Sequence, residues 1–165
     1  MAFNFPPFVL VFFIGSLLAI FIAWITWVRR PAPGAVPLTL LLLCIAWWLF
    51  GGILEAGAVA FQDKVFWGKM EFFGIAGTGI FWLFFSLDYS GAHWWRKPRY
   101  FLPLAIIPVT ALATLWTNQF HNTFWTQISP SPDTQYFLIW EHGWSFWIFW
   151  TFLDYENKRK TRRTA

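Results

Sequence analysis

Five side chains stand where polar chemistry is possible in a chain that is otherwise largely apolar: Glu55, Lys69, Glu71, Asn118 and His121. Each stands near the end of a long apolar block. Two acids, an ammonium, an amide and an imidazole in a low-dielectric setting each need a partner or water, so together they can bind a polar ligand or respond to protonation. The bland alternative is a set of interfacial groups that reach for water and only fix helix register. Glu55 closes one apolar block, and Lys69 and Glu71 open the next after a short connection, so a Glu55 to Lys69 contact is expected. Asn118 and His121 can cap a helix, bond to neighbours or line the same pocket. A lone His with no second ligand at suitable spacing is weak support for a metal.

Catalytic constellations are missing. The sequence has no His-Glu-x-x-His, no paired Cys and no Gly-x-Ser-x-Gly, which argues against zinc hydrolysis, dithiol chemistry and serine acyl transfer. Gly74, Gly77 and Gly79 lie inside an apolar block, where close helix packing explains them better than a phosphate loop. Cys44 sits deep in another apolar block and reads as a small hydrophobe. No cofactor is expected, and no enzyme activity. The net charge of +4 comes from short clusters beside apolar blocks rather than a stripe along one face, so nucleic acid is not expected as a partner.

The elements that must hold these groups follow from composition. With 58% hydrophobic and 12% charged residues, the chain cannot hide its apolar surface in a soluble core of this size. The lipid bilayer is its solvent, and the absence of recurring short alternating strands excludes a barrel. The expected fold class is an all-α, polytopic transmembrane helical bundle. Crossing a hydrocarbon core of about 30 Å takes roughly 20 helical residues, which predicts spans over Pro7 to Val28, Ala35 to Ala60, Lys69 to Leu87 and Tyr100 to Thr117. Met1 to Pro7 carries no basic residue and no cleavage site follows, so a cleaved leader is not expected.

Basic residues set the orientation. With the N-terminus outside, Arg29, Arg30, Arg96, Lys97, Arg99 and the five basic residues between Lys158 and Arg163 lie inside, against only Lys64 and Lys69 outside. That asymmetry follows the positive-inside rule. It requires a fifth crossing. Trp144 to Leu153 is too short alone, and extending it back to Tyr136 takes Glu141 and His142 into the span, so an interfacial segment stays open as the alternative. Asp88-Tyr89-Ser90-Gly91 reads as a helix stop, the glycine allowing a left-handed residue, and His93 reads as interfacial. Gly74 with Thr78, and Gly52 with Ala56, form small-residue faces suited to close helix approach.

The ordered residues carry a resemblance. Trp67-Gly68-Lys69-Met70-Glu71-Phe72-Phe73-Gly74-Ile75-Ala76, then Phe85-Ser86-Leu87-Asp88-Tyr89-Ser90-Gly91, Ile107-Pro108, and Trp116-Thr117-Asn118 with His121 and Phe124-Trp125 resemble the seven-helix N-terminal sensor region of bacterial membrane histidine kinases. Trp47, Trp48 and Glu55 fit its second helix, and Glu141-His142-Gly143 through Phe146-Trp147 the entry to its fifth. The resemblance covers about Trp47 to Trp150 and implies a bacterial inner-membrane sensor with its N-terminus outside, relaying a signal to a cytoplasmic output domain. It further implies that this chain departs from the family, since residues 155–165 form a basic tail after a sensor-like region over 1–154, with no phosphoacceptor helix or ATP-binding domain. Two roles stay open: a non-enzymatic sensory module taking a small-molecule ligand near Glu55, Lys69, Glu71, Asn118 and His121, or a small structural or assembly subunit of a membrane complex. Half a bundle leaves packing faces uncovered, so partner helices or a homo-oligomer are expected under either.

Overall fold

The computed structural model describes residues 1–92 and 97–151. The described chain is mostly helical, as expected, with α1 (Val9–Val28), α2 (Ala35–Gly57), α3 (Phe61–Tyr89) and α4 (Pro98–Trp116) all long and apolar enough to cross a membrane. After α4 a short helical turn (Asn118–Phe120) leads into β1 (Trp125–Pro130) and β2 (Leu138–His142), an antiparallel hairpin, and helical backbone resumes over 144–151. The expected basic tail over 155–165, the end of the fifth span and His93 with Arg96 lie outside the described residues.

Neighbouring helices meet through small residues. Ser16, Ala19 and Ala23 are the buried positions on α1 beside Val9, while Leu10, Phe13, Leu17 and Phe21 are exposed. Ser16 donates its hydroxyl to the Ala46 carbonyl at 3.1 Å, and Thr26 and Thr39 hydroxyls meet at 2.7 Å. On the α2–α3 seam the expected glycine approach holds for Gly74: a β-carbon there would lie 2.6 Å from the Cys44 carbonyl oxygen and 2.8 Å from the Trp48 nitrogen. Gly52 and Ala56 turn instead toward α1, meeting Phe12 and packing with Val9, because it is Gly51, about 100° around the helix, that faces α3.

Two boundaries differ from the sequence expectation. α3 begins at Phe61 rather than Lys69, so Gln62, Asp63 and Lys64 are helical and not a connection. Asp63 suits the first turn of a helix, where free N–H groups point at it, and the Lys64 ammonium has partners that let it be buried. The stretch proposed as the start of a fifth span, 136–142, is a turn and a strand; Leu138 to His142 pairs with β1 in the register Pro130 to Leu138 through Trp125 to His142. A bulge between Trp125 and Gln127 lets both Trp125 and Trp140 turn to the same side, with ring centroids 4.2 Å apart.

At the end of α3 the expected stop is present. Gly91 has φ 78°, its N–H donates to the Asp88 carbonyl at 3.1 Å, and the Ala92 N–H donates to the Leu87 carbonyl at 2.9 Å. That pair of bonds is the Schellman closure of a helix.

Candidate functional site

The hairpin and the 144–151 helix fold back over α2 and α3 and leave a half-open cavity of about 330 Å³. Trp48 and Glu55 come to it from α2, and Gly68, Glu71, Phe72 and Ile75 from α3. The hairpin adds Trp125, Trp140 and His142, and the following helix adds Phe146, Phe149 and Trp150. Phe72 is the hinge of this wall: its ring meets Phe124 at 5.0 Å and Phe149 at 5.9 Å, and it is buried with Leu115 and Ala76 beneath them. Two glycines make the room. A β-carbon on Gly68 would lie 2.7 Å from the Trp140 ring, so the indole lies against bare α3 backbone, and one on Gly51 would run into Glu71.

Glu55 and Glu71 are brought together. Their carboxyls are within hydrogen-bonding reach of one another, and the Trp48 side chain also contacts the Glu71 carboxyl. A hydrogen bond between two carboxyls needs an O–H on one of them. The Oε1 atom of Glu71 is buried and has no hydrogen-bond partner among the described residues.

Lys69 does not join them, and the expected Glu55 to Lys69 contact is replaced. Helical phase is the reason: seven residues bring Glu71 back to within about 20° of Lys64, whereas Lys69 lies about 140° away. Lys69 therefore turns toward α4, its ammonium 5.8 Å from the Trp116 ring centroid. Lys64 takes the place beside Glu55. Only 4% exposed, it donates to the carbonyls of Glu55 at 3.0 Å, Ala56 at 3.3 Å and Tyr136 at 3.0 Å. The last four carbonyls of α2 are then all satisfied, since Leu54 accepts from the Ala58 N–H and Gly57 from the Asn4 N–H. Sequence reading took Lys64 for a loop residue; the seven-residue spacing to Glu71 was the signal that could have placed it.

Asn118 and His121 lie outside the cavity wall. Asn118 is buried, donates to the Trp125 carbonyl at 2.8 Å and accepts from the N–H groups of Phe124 at 2.9 Å and Trp125 at 3.1 Å. It folds the loop that delivers Trp125 to the cavity. His121 is exposed and bonds within its own turn, to the Thr117 hydroxyl at 3.0 Å and the Thr123 hydroxyl at 2.7 Å. Among the described residues no group of three His, Cys, Asp or Glu side chains is arranged to hold a metal.

Residues 10–154 match the family model described as the N-terminal 7TM region of histidine kinase. The chain belongs to that family. The match runs from the second residue of α1 through the hairpin and beyond, so the cavity is built wholly from residues of the histidine-kinase 7TM region. Family and helices together make this a membrane protein of signal transduction, with a sensor rather than a catalytic domain in the matched residues. No curated protein and no solved structure gives a significant match.

In this 7TM region the segment between α4 and the 144–151 helix holds the hairpin, although its part over 136–142 was expected as the start of a fifth span. It supplies three of the cavity residues. His142 stacks on Phe146 with ring centroids 3.7 Å apart, and partial burial pushes its imidazole below the usual histidine range.

Proposed function

We propose that this chain is a non-enzymatic sensory module of the bacterial inner membrane in which the cavity under the hairpin receives a small-molecule stimulus. The observation that carries the reading is the pairing of Glu55 with Glu71 inside that cavity, with an unsatisfied buried oxygen on Glu71. Buried polar groups normally find partners, so an acid pair with an open oxygen under an aromatic cover fits a site that receives a polar ligand. The cavity lies at the end of the bundle that holds the N-terminus, and Arg29, Arg30, Lys97 and Arg99 lie at the other. Under the positive-inside rule the cavity faces outward and the basic end faces the cytoplasm.

The coupling route is α3 itself. It runs from Lys64 and Glu71 at the cavity to Asp88 at the opposite end, where the Gly34 N–H donates to Asp88 Oδ2 at 3.0 Å. A shift of α3 on α2 at one end is felt at the other because the two backbones are in contact at Gly74.

The test joins the chain to a histidine-kinase core and follows autophosphorylation in membranes. Glu71→Gln and Trp140→Leu should each shift the phosphorylated fraction while leaving membrane insertion unchanged. Normal insertion with unchanged phosphorylation in both variants would sink the sensor reading in favour of a structural subunit.

A further inference from the structure

We infer that the cavity takes an organic cation carrying an apolar body, an assignment that rests on the cavity being the stimulus site. Among the described residues its wall contains two carboxyls and neither Lys nor Arg. The two nearest lysines are committed elsewhere, Lys64 to three carbonyls and Lys69 to the face of Trp116. An anion would therefore meet two carboxyl groups, while the Lys64 charge acts on Glu55 from a residue that does not line the wall. A neutral apolar ligand would leave Glu71 Oε1 without a partner. A cation satisfies that oxygen, and the Glu55 and Glu71 carboxyls are the acidic groups that can balance its charge.

The rest of the wall suits the same ligand. Trp48, Trp125, Trp140 and Phe146 present aromatic surface to the cavity, and the negative faces of such rings attract ammonium groups, indole most strongly. About 330 Å³ is at the small end of the range for ligand pockets, enough for a single ring with a short amine arm. The same ammonium chemistry can come from a soluble amine or from the amine headgroup of a lipid.

Three probes sharing one carbon skeleton separate charge from shape: 2-phenylethylammonium, 2-phenylethanol and phenylacetate. Binding of the radiolabelled amine to the full chain is measured in phosphatidylglycerol nanodiscs, with the other two as competitors. The expected result is saturable amine binding, at least about tenfold weaker competition by the alcohol, and none by the carboxylate. Trp140→Leu and Glu71→Gln should each weaken the amine by about tenfold, whereas Trp140→Phe, which keeps an aromatic face, should lose less. Adding phosphatidylethanolamine then separates the sources: displacement of the amine identifies a headgroup as occupant, and undisturbed binding a soluble cation.

Equal competition by the alcohol, or amine binding unaffected in both Trp140→Leu and Glu71→Gln, overturns the cation assignment. Either result leaves the sensor reading standing, because the kinase fusion tests that separately. Conversely, selective amine binding beside a silent kinase fusion keeps the cation site and removes the sensor.

Discussion

The two ends of the α2–α3 pair solve one problem in different ways. An isolated helix carries partial positive charge at its N-terminus and partial negative charge at its C-terminus, and α3 answers both ends of α2, with Asp88 at the Gly34 amide and Lys64 at the Glu55 and Ala56 carbonyls. The separation works because Lys64 to Asp88 spans about the same 35 Å of helix as α2 does with its 23 residues. At the Asp88 end the contact with α2 closes a tight turn between neighbouring helices. At the Lys64 end the ammonium also holds the Tyr136 carbonyl of the segment between the strands. One end is pinned within the bundle, and the other is tied to the element that covers the cavity.

The sharpest break in that comparison is Lys64→Met. It leaves three buried carbonyls without their donor and should cost about 3 kcal/mol, in line with losing hydrogen bonds to a charged group. Unfolding in mixed micelles checks the magnitude, and amide exchange should rise at 136–142 while 29–34 stays protected. Equal loosening at both ends would mean that the two caps are not separable.

Asn118→Ala comes next. Three hydrogen bonds at the root of the hairpin disappear and buried backbone groups lose their partners, for about 2 kcal/mol. The effect should reach the cavity through Trp125, lowering ligand binding, and should not reach Gly34. Asp88→Asn is smaller, about 1 kcal/mol, because the amide oxygen still accepts the Gly34 N–H while the charge at the helix end is lost. Exchange of the Gly34 amide should report it with no change at Trp140.

These residues also show what the sequence carried and where it went silent. Four helices were legible from block length and hydropathy alone, because a bilayer-spanning helix needs roughly 20 mostly apolar residues. Glu55 and Glu71 were legible as members of one polar pocket, since a short connection joins their helices, but the contact expected for Glu55 was with Lys69. Lys69 was chosen over Lys64 because starting α3 at Lys69 hid the helical phase that puts Lys64 and Glu71 on one face. The hairpin was hidden for a different reason. Its strands are five or six residues long, contain Pro130, and owe their pairing to Asn118 at the root and to the Trp125–Trp140 contact rather than to a strong local pattern.

The smallest effect concerns His142, and it falls on one side of the comparison only. Burial holds the folded imidazole below the usual value of about 6.5, so the folded protein binds this proton less readily than the unfolded chain. The neutral ring's contribution is therefore present above about pH 6.5 and is lost as pH falls through the lowered folded value. Acidification from pH 7 toward 5 should loosen the contact of His142 on Phe146, raising amide exchange over 138–142, while 29–34 serves as the internal reference. His142→Phe keeps a ring against Phe146 and removes the titration, so its hairpin should lose the part of the pH response that belongs to the imidazole. A pH profile identical in the two proteins would assign the acid sensitivity of this end to other groups and leave His142 as a packing residue alone.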